Sequence, residues 1–199
     1  MTIFGKQFSR AWRSRCVVLL CLLAVAGGWL WFSRPVTASQ QLRGYAVSGV
    51  QVIDVVMPSG GPTQLHGIAT EDSGEIQELL GLLDQYPTNR KWDWSWLLGE
   101  GFGDYNGKDP YSSVWVVLSF RDADGKAGSL QYIVSETGRV QVFEPNRFGD
   151  LPAGVGRFGA EGAKQYFAAL HRFYEQKVDS PLWVPSTPTE EEKRTGVDA

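Results

Sequence analysis

From Cys16 to Phe32 the chain runs for 17 residues without a charged side chain (CVVLLCLLAVAGGWLWF), which no water-facing surface can accommodate. Wound as a helix, this run covers about 25 Å, slightly short of the ~30 Å hydrocarbon core of a bilayer. Ala11, Trp12 and Ser33 can extend it to the interface. Cys16, Leu19, Leu22 and Val25 supply its apolar body. Trp29, Trp31 and Phe32 close it, and with Trp12 they fit the aromatic belt that forms at headgroup level. Lys6, Arg10, Arg13 and Arg15 precede the run, and only Arg34 and Arg43 follow soon after. That bias favours a cytoplasmic N-terminus and an extracytoplasmic remainder.

The expected organisation is a basic tail at 1–15, a transmembrane helix (an uncleaved signal anchor) at 16–32 and a polar stalk at 33–44. An extracytoplasmic domain at 45–178 and a disordered tail at 179–199 complete it. The competing reading is a secretory signal cut after Val36-Thr37-Ala38, which would release a secreted protein beginning at Ser39. The apolar run exceeds the usual signal core, however, and Arg34 and Pro35 intervene before that cut. A buried soluble helix is a third possibility. A lipoprotein is disfavoured because Cys21 follows Val18-Leu19-Leu20 rather than a small residue.

Beyond Ala38 there are 14 basic and 22 acidic residues, a net charge of about −8. Such a surface suits neither nucleic acid nor anionic lipid. Both cysteines, Cys16 and Cys21, lie in the apolar run, so no disulfide braces the exported part and a hydrophobic core must hold it. The absence of any Asn-x-Ser/Thr acceptor fits a bacterial setting.

Alternation of Val50, Val52 and Val56 predicts a strand, and Pro58-Ser59-Gly60-Gly61-Pro62 a turn before a return strand at 65–70. Asp72, followed by Glu75, reads as a capping box opening a helix with Ile76, Leu79, Leu80 and Leu83 on one face. Alternation through Val114–Phe120, Leu130–Val134 and Val140–Val142 predicts a three-stranded antiparallel meander. A second helix is expected from about Ala160 to Lys177, with Ala163, Tyr166, Phe167, Leu170, Phe173 and Tyr174 on its apolar side. The fold class is therefore α+β: one mostly antiparallel sheet, a hairpin plus a meander, packed with two helices.

Few motifs carry chemistry. Gly154-Val155-Gly156-Arg157-Phe158-Gly159 matches G-x-G-x-x-G, but with the last strand expected to end near Glu144 it reads as a loop, and no nucleotide is expected. Asp104 to Asp109 lacks the ligand spacing of a calcium loop. His66 and His171 stand in no zinc frame, and His171 reads as a solvated helix residue, so neither metal nor cofactor is expected. The unusual segment is Trp92-Asp93-Trp94-Ser95-Trp96, followed by Asp104, Tyr105, Asp109 and Tyr111. On a strand the three indoles share one face. Buried, they are a heavy core layer; exposed beside carboxylates, they form a platform for sugar rings or a peptide.

The opening strand Val50–Val55, the helix 75–83 with Thr88-Asn89-Arg90 after it, and the hairpin Tyr132–Glu144 resemble an uncharacterised family of extracytoplasmic domains. In Gram-positive bacteria these follow N-terminal signal or membrane segments. The resemblance implies location and fold, and supplies no activity. The expected function is thus a membrane-anchored, non-enzymatic module that binds an envelope protein or cell-wall glycan through Trp92–Tyr111. The alternative is a small cell-wall enzyme using carboxylates of the same segment.

Overall fold

The structure, a computed structural model, describes residues 10–90, 110–121, 124–143, 151–155 and 159–186; side chains at 10–14, 32, 90, 151–155 and 159–160 are excepted. The chain divides into two units, the first ending at Arg34 and the second beginning at Pro35.

In the first unit, α1 spans Arg10–Phe32. Ser33 closes its last turn, donating from both its backbone N and its Oγ to the Trp29 carbonyl at 2.9 and 2.8 Å. The Arg34 guanidinium lies 5.5 Å from the centre of the Trp31 ring. Val17, Val18, Leu19, Leu20, Leu22 and Leu23 are each at least 58% exposed, so apolar side chains point outward all round the helix. Against the expected transmembrane helix at 16–32 stands a plain finding: among the described residues, no helix is long and apolar enough to cross a membrane. The described side chains of α1 run only from Arg15 to Trp31.

The second unit is α+β, as expected. Among the described residues, its antiparallel sheet has eight strands: β1 (Val47–Met57), β2 (Gln64–Thr70), β3 (Thr88–Arg90), β4 (Tyr111–Arg121), β5 (Ala127–Ser135), β6 (Val140–Phe143), β7 (Leu151–Val155) and β8 (Val184–Ser186). The spatial order is β3-β7-β6-β5-β4-β1-β2-β8. Val52 pairs with both Ile68 and Val116, which fuses the hairpin and the meander into one sheet. The helices are α2 (Ala38–Leu42), α3 (Ser73–Asp84) and α4 (Gly159–Lys177).

Strand alternation sorts the core onto two faces. Val50, Val52, Val114, Val116, Leu118, Leu130, Tyr132 and Val134 meet Leu79 and Leu83 of α3 and Tyr166 and Leu170 of α4. Ile53, Val55, Met57 and Trp115 form a second cluster, with Leu65, Tyr111 and Ile133 packed on it. In α3, the Asp72 carboxylate accepts the backbone N–H groups of Gly74 and Glu75, as a cap should. The capping box is only half present. The Glu75 carboxylate instead reaches Lys177 and Trp183.

Three expectations are corrected. Residues 33–44 are not simply a stalk: Val36 and Thr88 exchange backbone hydrogen bonds, and Thr37 and Gln40 form a capping box. Ala38 and Leu42 are buried in the main core. The tail expected to be disordered from residue 179 carries buried Trp183 and the edge strand β8. Gly67 makes room for that strand, since a Cβ there would stand 2.6 Å from the Ser186 carbonyl oxygen. Finally, the last long-range pairing does not end near Glu144, because β7 holds Gly154 opposite Asn89. The strand feeding G-x-G-x-x-G therefore exists, but it is antiparallel to both neighbours, unlike the parallel unit that seats a dinucleotide.

Candidate functional site

Of the segment singled out by sequence, Trp92, Asp93, Trp94, Trp96, Asp104, Tyr105 and Asp109 lie outside the described residues. Tyr111 is described. It opens β4, pairs with Met57 and packs half-buried against the second core cluster, so its ring serves the fold. In α1, Leu19, Leu22, Val25, Trp29 and Trp31 are exposed, and Cys16 is half-buried. Phe32 ends that helix, and its side chain lies outside the described set.

The described residues bring together a cluster that the sequence reading missed. On the helix-covered face, successive core positions of β1 are Val50, Val52 and then Asp54. Antiparallel register sets His66 of β2 on one side of Asp54 and Val114 of β4 on the other. Side chains opposite one another share a face, so Asp54 sits where the apolar floor ends and His66 opens to solvent.

From above, α4 contributes His171, Tyr174 and Glu175. The His171 Nε2 lies 3.8 Å from Asp54 Oδ1, and its Nδ1 lies 3.6 Å from Glu175 Oε1. Both distances exceed a good hydrogen bond. The imidazole is also tilted against Phe167, with ring centroids 5.7 Å apart.

Asp54 is only 9% exposed, and among the described residues its Oδ1 has no hydrogen-bond partner. Burial pushes its carboxyl above the usual carboxylate range; the nearby His171 and His66 pull it back down, and Glu175 adds to the rise. Tyr174 is raised too, first by burial and then by Asp54. The half-buried His171 imidazole thus stands between two carboxylates, those of Asp54 and Glu175. Among the described residues, no group of three or more His, Cys, Asp or Glu side chains can hold a metal ion.

The signal for Asp54 was present in the sequence, since a carboxylate occupies a core-facing position of an otherwise valine-lined strand. The identity of its partner was not legible, because only folding lays α4 across β1. Compared with family models, characterised proteins and solved structures, the chain matches none. The resemblance to the Gram-positive extracytoplasmic family therefore has no match behind it.

Proposed function

We propose that this chain is a single-pass, membrane-tethered domain that faces outward from a bacterial cell and binds a protein or glycan of the envelope. The observation that carries the reading is the uncharged 17-residue run Cys16–Phe32 within α1, whose described side chains stop at Trp31. Its apolar side chains point to solvent on every side, and a helix apolar all round requires an apolar surround. Lys and Arg before the run, with none of the acidic residues, set the N-terminus inside.

Retention is favoured over release after Ala38. A cut there would remove Val36, which pairs with β3, and Thr37, which caps α2, together with buried Ala38. Binding is assigned to Trp92, Trp94 and Trp96 with Asp93, Asp104 and Asp109, on the chemistry of aromatic faces beside carboxylate acceptors.

Fractionation of cells expressing the full chain tests the tether. Full-length protein should stay with membranes through alkaline carbonate washing, and Leu19→Asp with Leu22→Asp should release it. Full-length protein in the soluble fraction would overturn the reading, and a soluble product starting at Ser39 would replace it with secretion. Retention on purified cell wall or on membrane-protein extract should fall with Trp92→Ala and Trp94→Ala.

A further inference from the structure

The Asp54 cluster poses a problem of charge. A carboxylate removed from water and lacking donors is costly, and such groups persist where a partner can be supplied. Among the described residues, neither lysine nor arginine is paired with it, and the charges that act on it come from His171, His66 and Glu175. Among the described residues, the partner left to supply is a proton.

We propose that Asp54 and His171 form a proton-operated clasp between β1 and α4, drawing the helix onto the sheet when the surrounding medium turns acidic. Uptake of one proton by the pair places a hydrogen between Oδ1 and Nε2. A hydrogen between the two atoms bridges them whether it sits on the carboxyl or on the ring. The 3.8 Å gap then closes to a hydrogen bond. When the proton leaves, the buried carboxylate faces a neutral ring, and α4 is held at this point only by packing.

The surrounding groups fit that assignment. On β2, His66 faces Asp54 from the solvent edge; on β4, the neighbour is apolar Val114. On α4, Glu175 Oε1 stands 3.6 Å from the other ring nitrogen. Tyr174 stays neutral, since burial and Asp54 both raise its phenol. The clasp itself stands on Asp54 and His171 alone. Its use as a reader of external acidity rests on the tether reading above, and failure of that reading would leave the clasp intact in solution.

Hydrogen exchange on the full chain in detergent micelles tests it, comparing α4 amides with those of β4 and β5 at pH 5.5 and 7.5 after correction for intrinsic rates. Relative protection of α4 should fall about tenfold at the higher pH, the scale of one lost hydrogen bond. His171→Gln keeps a half-exposed position polar and should abolish that pH dependence, and Asp54→Asn should abolish it with α4 closed at both values. Equal protection of the unmodified chain at both pH values, or a pH dependence that survives His171→Gln, would overturn the proposal.

Discussion

Beyond its apolar packing, helix α4 meets charged partners in two clusters among the described residues, and the two fastenings obey opposite rules. At its C-terminal end, Lys177 Nζ lies 2.7 Å from carboxylate oxygens of both Glu75 and Glu78 on α3. Trp183 Nε1 donates to the same Glu75 at 2.9 Å. Every charge there has a short partner. At mid-helix, the Asp54–His171–Glu175 contacts stand at 3.6 to 3.8 Å, and one buried oxygen goes unbonded. A satisfied cluster fixes a helix in place, whereas an unsatisfied one leaves its grip to solution conditions. Hydrogen bonds to Lys177 and Trp183 hold the Glu75 carboxyl below its usual range, and those to the two glutamates raise Lys177. Burial holds Asp54 above that range.

The largest test removes the anchor of the satisfied end. Trp183 is almost fully buried and meets Phe173 edge-on at 5.7 Å. Trp183→Ala should cost about 3–4 kcal/mol, mostly from lost burial and the cavity left behind. Denaturant midpoints at unchanged slope would measure it. A loss under about 1 kcal/mol would mean that the chain beyond Lys177 contributes little, and the C-terminal fastening would reduce to a surface ion pair.

A smaller effect separates charge from packing at the same end. Lys177→Met keeps an apolar stem over the Phe173 ring, where Nζ now stands 5.4 Å from the centroid. Stability at neutral pH should fall by about 2 kcal/mol, since Glu75 loses a charge-assisted bond at a mostly buried position. The sign with pH follows from the lowered Glu75 carboxyl. Its contribution is complete above the unfolded carboxylate value and disappears as pH falls through the lower folded value. The gap between the two proteins should therefore narrow below about pH 4.5, the ordinary value of a free glutamate. A gap constant down to pH 3 would assign the effect to packing.

The satisfied end was half legible in the sequence and the unsatisfied one scarcely at all. Ile76, Leu79, Leu80 and Leu83 predicted the buried face of α3 because a lone amphipathic helix carries its own periodicity. Strands β1, β4, β5 and β6 were legible for the same reason, at period two. β3, β7 and β8 were not: Leu151-Pro152-Ala153-Gly154-Val155 contains two residues that disfavour strands, and Val184-Pro185-Ser186 is only three residues long. Pairing makes them strands: β7 lies on β6, β3 on β7 and β8 on β2. Glu75 read as a local capping residue because Asp72 lies three positions before it, yet Lys177 and Trp183 compete for the same carboxylate and win. His171 read as solvated because a helix pattern records which side is apolar, not which carboxylate waits opposite.

The smallest effect has the reverse sign and bears most directly on the contrast. Asp54→Asn removes the buried charge while keeping the side chain's size, and the new amide can donate to His171. At pH 7.5 stability should rise by about 1 kcal/mol, because the native side chain buries an oxygen, Oδ1, that has no hydrogen-bonding partner among the described residues. A raised folded value stabilises the native chain only once the carboxyl is protonated, and this contribution is lost as pH climbs through that value. The advantage of the variant should therefore shrink in acid, opposite to the behaviour of a carboxylate such as Glu75. Chemical denaturation of both proteins at pH 7.5 and 5 would show it. If Asp54→Asn destabilises at both, Asp54 is a satisfied structural anchor like Glu75, and both fastenings of α4 obey one rule.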